Sequence, residues 1–414
     1  MDARTDLQMA LDKRRQGYSL DQRFYTDPDF FQQDLELIWY REWLFAGHDG
    51  ELARPGSFFT LKIGDYPVIV LRDRQGQVRA FHNSCRHRGS LVCTAKKGMS
   101  ARLVCPYHQW TYDLDGSLVF ARQMGPGFDP ASFGLKPVAC EAVAGYIFVS
   151  LAETPRDFAP LRALMEPYLA PHRLADAKVV HESNIIERGN WKLVWENNRE
   201  CYHCAGNHPE LCKSFPETPT LTDLTAIDSD PDLAALWQRS EAAGLPARFR
   251  ADADGQYRLM RVPLLGEAVS YTMTGKAAVR RRLSDVVPRE KLGALLLYHY
   301  PTTWNHVLDD HAVTFRVTPL SATETQVTTK WLVHRDAVAG IDYDLDTLIH
   351  VWRETNDQDR RVVEDNAQGI ASPAYEPGPY SPIHEGGVLQ FVEWYVAFIQ
   401  SALSGSPAHM QSVA

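Results

Sequence analysis

Two short pairs of metal-ligand residues are the first chemical feature of this sequence. Cys85-Arg-His87 and Cys105-Pro-Tyr-His108 each combine a cysteine with a histidine, and seventeen residues separate the two pairs. Two such pairs, each on its own hairpin, supply the two thiolates and two imidazoles that a [2Fe–2S] cluster with one nitrogen-bound iron requires. A structural zinc site is the main alternative, but zinc motifs usually pair like with like. The mixed pairs favour the cluster over zinc, and over four residues packed in a core by chance.

A second set of candidate ligands lies in the segment NWKLVWENNRECYHCAGNHPE, which contains Glu200, His203 and His208. The histidines are five residues apart, so an ideal helix would point them roughly 140° apart. Gly206-Asn207 and Pro209 predict a break in the helix that brings His208 back towards His203. Two neutral imidazoles and one carboxylate form the ligand set of O2-activating non-haem Fe(II). The segment therefore predicts part of a mononuclear iron site.

The third iron ligand must come from elsewhere, and a long helix predicted at about 342–370 offers one. Asp359 projects near the middle of its apolar stripe, whereas Asp357 projects well off it. A carboxylate that faces the core needs a partner, because burying an unpaired charge is costly. We therefore predict Asp359 as the ligand in preference to Asp357, with a buried salt bridge to an arginine as the alternative role. The stripe consists of Leu345, Leu348, Ile349, Trp352, Val363 and Ile370.

The elements that must position these ligands fall into two parts. Residues 1–41 predict a helical lead-in, and from about Trp43 to Leu151 short β-type runs alternate with turns. These features predict an all-β domain at 42–151. The predicted hairpin turns are Gly64-Asp65, Arg74-Gln75-Gly76 and Asp115-Gly116.

The rest of the chain, 152–414, mixes helices and strands and predicts, together with 1–41, a larger domain. The fold class is therefore α+β, with the all-β domain inserted into the larger one. Gly369 is predicted as the C-cap of the long helix, with Pro373 just beyond it. Residues 216–290 have no predicted role. The other predicted segments are helices around 161–169 and 191–208 and strands at about 295–300, 311–319 and 325–333.

Composition excludes several classes of protein. The 414 residues are 44% hydrophobic and 23% charged, with a formal net charge of −9, which argues against non-specific nucleic-acid binding. No apolar run of 18 residues predicts a membrane span, and charges near the N-terminus argue against export, so we expect a cytoplasmic protein. An odd count of seven cysteines then favours metal ligation or free thiols over a disulfide framework.

The ligand motifs resemble those of a known family. CRHRG at 85–89 and CPYHQW at 105–110 resemble the two signature boxes of the Rieske domain in bacterial Rieske non-haem iron oxygenases. The pattern E-N-x-x-E-x-Y-H-x4-H at 196–208 resembles the mononuclear-iron motif of that family, and Gln358-Asp359-x4-Glu364 resembles its C-terminal ligand box. The resemblance implies a helix-grip-like catalytic domain with an antiparallel sheet and an oxygenase (alpha) subunit that works as a homotrimer.

The resemblance also implies a role for each ligand. Glu200 would link the iron to the Rieske cluster of a neighbouring subunit, because transfer within one subunit would be too long. Electrons would come from NAD(P)H through a separate flavin/ferredoxin-type reductase. The implied cluster ligands are Cys85, His87, Cys105 and His108. The implied iron ligands are His203, His208 and Asp359.

The substrate class rests on a departure from the family pattern. Glu200 stands where aromatic-ring dioxygenases usually carry aspartate, and the first half of the chain resembles the branch that acts on quaternary amines, glycine betaine monooxygenases among them. The implied reaction is O2-dependent N-demethylation of glycine betaine to dimethylglycine and formaldehyde. Proline betaine, carnitine or choline remain alternative substrates, and hydroxylation of an aromatic acid is a further alternative.

The residues that would hold such a substrate are not predicted. A trimethylammonium group binds aromatic faces, and a carboxylate needs an Arg, Lys, His or backbone N–H donor. Each candidate aromatic residue is equally compatible with ordinary packing: Tyr202, Phe215, Tyr298, Tyr300 and Trp304. A basic surface for an acidic electron donor is as compatible with the sequence as ordinary solvated charge: Arg86, Arg88, Lys96 and Lys97.

Two other classes of protein compete with the oxygenase. A Rieske electron carrier needs only the all-β domain, so the second ligand set argues against it. A zinc-stabilised binding protein would be colourless, whereas a Rieske protein is brown-red.

Overall fold

The computed structural model describes residues 3–216, 230–284 and 291–405 and divides into two compact units. The β unit comprises Trp39–Phe158 and Leu174–Asp176. The α+β unit comprises the described residues of 1–38, 159–173 and 177–414. The sequence of the β unit therefore interrupts that of the α+β unit, and the predicted α+β class with an all-β insertion is confirmed.

The strands of the β unit form one seven-stranded sheet and one three-stranded sheet. The larger sheet has the order β1-β10-β9-β4-β3-β2-β5 and the smaller one β6-β7-β8, with antiparallel neighbours throughout. The predicted turns connect β2 to β3, β3 to β4 and β7 to β8. The strands are β1 (Leu44–His48), β2 (Ser57–Ile63), β3 (Tyr66–Arg72), β4 (Val78–His82), β5 (Lys97–Met99), β6 (Leu103–Val104), β7 (Thr111–Tyr112), β8 (Leu118–Phe120), β9 (Pro137–Val143) and β10 (Tyr146–Ser150).

The α+β unit contains nine α-helices among its described residues. They are α1 (Ala3–Lys13), α2 (Arg23–Thr26), α3 (Pro28–Asp34), α4 (Ala159–Leu169), α5 (Trp191–Asn198), α6 (Cys204–Asn207), α7 (Pro231–Ala242), α8 (Leu345–Ile370) and α9 (Gly386–Ser404). None of the described helices has the length and apolar character needed to span a membrane. The described residues also form a π-helical turn at Leu35–Trp39 and short 3₁₀ turns at Asp49–Leu52, Pro130–Phe133, Ala170–His172, Leu174–Asp176 and Leu211–Lys213.

A seven-stranded antiparallel sheet forms the centre of the α+β unit. Its order is β11-β17-β16-β15-β14-β13-β12, so six consecutive strands form a meander and β11 joins the β17 edge. Helix α8 packs on β11 and on α5, and α5 also contacts α9 and the sheet. The strands are β11 (Ala177–Glu187), β12 (Arg250–Ala251), β13 (Tyr257–Val262), β14 (Ala294–His299), β15 (Thr303–Val307), β16 (Ala312–Ser321) and β17 (Glu324–His334).

The structure corrects three expectations. The helix predicted at 191–208 is wrong, because α5 ends at Asn198 and only the single turn of α6 follows. Helix α8 begins after Asp344, whose carboxylate caps it, and continues through Gly369 to a C-cap at Ala371. The expectation of free or metal-bound cysteines fails for one pair, since a disulfide joins Cys201 to Cys204.

The part of 216–290 that the structure describes carries α7 and strands β12 and β13. Residues 217–229 and 285–290 lie outside the described residues.

A buried ion pair fixes α5 within the unit. Five consecutive residues of α5, from Trp191 to Trp195, are buried, so the lysine among them cannot reach solvent. Lys192 donates to Asp34 of α3, and both side chains are 0% exposed. Asp34 also accepts hydrogen bonds from Trp191 Nε1 at 3.0 Å and from the Tyr395 hydroxyl at 2.8 Å. These bonds join α3, α5 and α9 and offset the cost of removing two charges from water.

We expect Asp34→Ala to lower the free energy of unfolding by about 3–5 kcal/mol, because it leaves Lys192 buried without its counter-charge. Equilibrium urea unfolding followed by circular dichroism measures the change. Asp29→Ala on the same helix is the matched control, because Asp29 is exposed; its effect should stay below about 1 kcal/mol. Equal effects of the two substitutions would contradict this account of the ion pair.

Candidate metal centres

The two Cys/His pairs lie on neighbouring loops of the β unit. Cys105 and His108 lie on the turn between the paired strands β6 and β7. Cys85 and His87 lie between β4 and β5, and β5 pairs with β2 rather than with β4. The expectation that each pair has its own hairpin therefore holds only for the second pair.

The two loops share one backbone conformation. In each, the cysteine N–H donates to the carbonyl five residues later, and the cysteine carbonyl accepts from the N–H four residues later, at 2.8–3.0 Å. The residue four positions after the cysteine has positive φ, +78° at Gly89 and +62° at Gln109. Glycine adopts this conformation freely, whereas glutamine adopts it at a cost that the surrounding hydrogen bonds offset.

The side chains of the loops converge on one point. Nδ1 of His87 lies 3.1 Å from Nδ1 of His108, while Cys85 and Cys105 are buried in the hydrophobic core below them. The Tyr112 hydroxyl lies 3.2 Å from Sγ of Cys85. Burial raises the pKa of Cys85, the Tyr112 hydroxyl lowers it, and the neighbouring Cys105 raises it. Two thiols and two imidazole nitrogens directed to one place fit a cluster bound by sulfur on one iron and nitrogen on the other.

The second candidate centre lies around α6. His203 immediately precedes this single turn and His208 immediately follows it, with non-helical backbone angles of φ −121° and ψ 66°. Nε2 of His203 and Nε2 of His208 are 3.0 Å apart. Oδ1 of Asp359, on α8, lies 3.3 Å from the first and 3.0 Å from the second. The structure therefore brings the three predicted iron ligands together.

Each imidazole is oriented through its other nitrogen. Nδ1 of His203 donates to Oε1 of Glu200 at 2.6 Å, and Nδ1 of His208 donates to Oε1 of Gln358 at 2.9 Å. Gln358 is held in turn by a 2.7 Å hydrogen bond from its Nε2 to Glu210. Because each Nδ1 donates its proton to an acceptor, the nitrogen left to bind a metal in the neutral ring is Nε2, and both Nε2 atoms face Asp359. This is the arrangement of ligating histidines.

The electrostatics of the centre favour a cation. Burial lowers the pKa of His203, but Asp359 and Glu200 raise it to about 10. Burial likewise lowers the pKa of His208, which Asp359 raises above its usual value, and the two histidines lower the pKa of Asp359 despite its burial. Among the described residues, Oδ1 of Asp359 is a buried oxygen without a hydrogen bond of good geometry. Two imidazoles and this carboxylate fit the ligand preference of Fe(II).

The competing ligands are engaged elsewhere. Asp357 accepts hydrogen bonds from Arg360 at 2.6 Å and from Arg361, so it is paired along the helix surface. The sulfur of Cys204 comes within 4.8 Å of both histidine donors, but it is bonded to Cys201 and is not a thiolate. Asp359 is therefore the better placed third ligand.

A cavity adjoins the three ligands. Of the aromatic residues considered from sequence, Phe215 and Tyr298 line it. Tyr202 is exposed and stacks on His384, while Tyr300 and Trp304 pack against Trp195. The remaining walls include Arg199, Leu211, Met260, Leu296, His306, Trp352 and Thr355.

Sequence reasoning missed several residues of this site. Trp352 could have been predicted as a residue of this site, because it lies seven residues before Asp359. It is therefore two turns away on the same face of α8. Gln358 belongs to the C-terminal ligand box, but its contact with His208 is a tertiary feature that the sequence does not show. His306 had no local signal; its burial and the nearby His311 lower its pKa to about 3, so it lines the cavity as a neutral ring.

Comparison with known proteins identifies the family. Residues 42–140 match the Rieske [2Fe-2S] domain, and residues 174–401 match the ring hydroxylating alpha subunit (catalytic domain). The chain belongs to the Rieske oxygenase alpha subunits. As a Rieske non-haem iron oxygenase, it combines a [2Fe–2S] domain with a catalytic domain for mononuclear iron. Electrons supplied by a reductase are typical of this family.

Individual relatives cover nearly the whole of this Rieske oxygenase. A glycine betaine monooxygenase oxygenase subunit of Pseudomonas aeruginosa is 48% identical over 98% of the chain and 94% of the relative. One from Chromohalobacter salexigens is 47% identical over 97% of the chain and 90% of the relative. The solved structure of a quaternary ammonium Rieske monooxygenase superposes with a TM-score of 0.72 at 22% identity, covering 94% of this chain and 98% of that one, which shows a shared fold.

We expect Asp359→Asn to lose roughly one iron atom per chain and to keep the two of the cluster, because an amide replaces the anionic ligand. Iron analysis with the visible spectrum of the cluster measures both. Asp357→Asn is the matched control on the same helix and should keep all the iron. Loss of iron from the Asp357 variant alone would reverse the assignment.

Proposed function

We propose that this chain is the oxygenase component of a two-component monooxygenase that demethylates glycine betaine to dimethylglycine and formaldehyde. The observation that carries the proposal is the convergence of two histidines and Asp359 beside a cavity with aromatic walls and a buried guanidinium. The relatives that are 47–48% identical over nearly their whole length support glycine betaine as the substrate.

The proposal assigns each metal centre to one set of residues. Residues 42–151 would form the cluster domain, and 152–414 with the lead-in 1–41 the iron domain. When bound, the iron and the cluster supply O2 activation with delivered electrons, the chemistry that oxidises an N-methyl C–H bond. The cluster ligands are Cys85, His87, Cys105 and His108. The iron ligands are His203, His208 and Asp359.

The cavity residues position the substrate and exclude water. Phe215 and Trp352 offer aromatic faces to a trimethylammonium group, which has no N–H to donate and therefore binds through cation–π contact. The reaction takes one oxygen atom into a methyl group and the other into water, with two electrons and two protons. The hydroxymethyl group then leaves as formaldehyde when its C–N bond breaks and its hydroxyl releases a proton. The nitrogen keeps the bonding electron pair, which gives dimethylglycine.

Glu200 is proposed to link two redox centres across a homotrimer. Its Oε1 accepts from Nδ1 of His203, and its Oε2 accepts the backbone N–H groups of Tyr202 and His203. The carboxylate is therefore held rigidly behind an iron-ligand imidazole. In the proposed assembly it also accepts a hydrogen bond from a cluster-ligand histidine of the neighbouring subunit, and a flavin/ferredoxin-type reductase delivers electrons from NAD(P)H.

We expect Glu200→Gln to slow electron transfer from the cluster by roughly 10–100-fold, because the neutral amide orients His203 less well and weakens the link. Stopped-flow absorbance of the cluster, after O2 is mixed with the reduced, substrate-bound protein, measures the rate. Cluster and iron contents should stay as in the wild type. An unchanged rate per bound iron would show that Glu200 only orients His203 and does not link the two redox centres.

A single-turnover experiment tests the substrate. The purified, iron-replete protein is reduced without oxygen and mixed with one candidate before O2 is admitted, and formaldehyde and hydroxylated products are quantified. Glycine betaine should yield formaldehyde, with much less from proline betaine, carnitine or choline and no product from benzoate. Formaldehyde from another quaternary amine alone would keep the chemistry and replace the substrate, whereas hydroxylated benzoate would overturn the demethylase.

A further inference from the structure

Two buried arginines lie at one side of the cavity. Arg199 lines it and is 7% exposed, and Arg258, on β13, is 6% exposed. Arg258 is the cross-strand partner of Tyr298 on β14, and Tyr298 also lines the cavity. The guanidinium carbon of Arg199 lies 4.2 Å from the centre of the Tyr298 ring. We call Arg199 and Arg258 the guanidinium pair.

The guanidinium pair has few acceptors. Nη2 of Arg199 donates to Oε1 of Gln390 at 3.2 Å, and Nη1 of Arg258 donates to the same oxygen. Nε of Arg258 donates to the carbonyl of Gly255 at 3.0 Å, whereas Nε of Arg199 is buried without a hydrogen-bond partner. Within the described residues, no carboxylate oxygen lies within 4 Å of either group. The acceptors around these two positive charges are thus neutral: the shared Gln390 oxygen, the Gly255 carbonyl and the hydroxyls of Tyr298 and Tyr300.

This arrangement differs from the other buried cation of the unit. Lys192 is in contact with its counter-charge Asp34, whereas among the described residues no carboxylate is in contact with the guanidinium pair, and Asp252 acts on Arg258 only from beyond salt-bridge distance. Burial lowers the pKa of Arg258 and the positive charge of Arg199 lowers it further, while Tyr300 and Asp252 only partly offset this lowering. Buried charges are normally paired, and guanidinium groups bind carboxylates through two parallel hydrogen bonds. The guanidinium pair therefore lacks a carboxylate in contact with it, and a carboxylate is the group that would pair with it best.

We propose that the guanidinium pair binds the carboxylate of the substrate, with Arg199 in direct contact and Arg258 supporting it from behind. The inference rests on the proposed function and identifies the residues that make the enzyme select betaines over quaternary amines that carry no carboxylate, such as choline. Phe215 and Trp352 remain available to the trimethylammonium group at the other end of the same molecule. Tyr298 gives one ring face to Arg199, so that face is not part of the cation cage.

The test compares two ligands that share the trimethylammonium group and differ in whether the carboxylate is free or methylated. Glycine betaine and its methyl ester have the same trimethylammonium group, but the ester lacks the anionic carboxylate. Calorimetric titration of the anaerobic holoenzyme gives the affinity for each, in the wild type and in the Arg199→Gln and Arg199→Lys variants. Arg261→Gln is the matched control, because Arg261 is a buried arginine of the same strand as Arg258 that donates to Leu292 and is not part of the cavity wall.

The ratio of the two affinities decides the outcome. We expect the wild type to prefer the acid by about 100-fold, Arg199→Gln to bring the ratio near one, and Arg199→Lys to keep part of the preference. Arg261→Gln should keep the wild-type ratio. If Arg199→Gln, or Arg199→Lys should the first variant not fold, weakens both ligands equally, the pair is structural and the inference is wrong. If the wild type binds neither ligand, the proposed substrate is wrong and the inference falls with it.

Discussion

The meeting of one carboxylate with two imidazoles constrains most of the α+β unit. His203 and His208 reach Asp359 only because the helix stops at Asn198 and a single turn, α6, separates the two rings. Asp359 reaches them only because α8 packs along both α5 and β11. Helix α5 is in turn fixed by the buried pair of Lys192 and Asp34. A metal centre thus depends on charges and packing several turns away from it.

Much of this centre could be predicted from the sequence, because each part has a local signature. Gly206 and Asn207, which lie between His203 and His208, are poor helix formers, and the apolar stripe of α8 places Asp359 on its inner face. The true end of α5 was not predictable in the same way. The carboxylate of Glu200 accepts backbone N–H groups from Tyr202 and His203, and this local bonding competes with the helix.

Other failures have a tertiary cause. Strand β11 carries lysine, histidine, glutamate and asparagine at partly or fully exposed positions, and it is a strand because it pairs with β17 over its whole length. Strand propensity is weak evidence for such a segment, since pairing and burial override it. The disulfide between Cys201 and Cys204 was likewise unexpected, because counting cysteines cannot show which two side chains meet.

The two loops that carry the cluster ligands depend on the residues that pack around them. The two cysteines belong to the hydrophobic core, whereas His87 is exposed and His108 partly so. The ring of Trp110 stacks on His87 with centres 4.8 Å apart and thereby limits its rotation. The spacing of the four ligands was readable, but the positive φ of Gln109 was not, because glutamine rarely adopts it. The cysteine sulfurs therefore lie towards the core and the histidine rings towards solvent. This leaves the imidazole side of the site open to an electron acceptor.

The residues around the cavity differ in chemistry from one side to the other. Asp359 and Glu200 lie at the metal end, and the guanidinium pair lies on the side formed by β13 and β14. A zwitterion whose carboxylate binds the guanidinium pair and whose trimethylammonium group binds the aromatic faces of Phe215 and Trp352 is held in one orientation only. That orientation directs the methyl groups towards the metal ligands and the carboxylate away from them. A molecule with a single charge would not be held in this one orientation. The arrangement therefore determines the position of the reacting methyl carbon as well as which substrate binds.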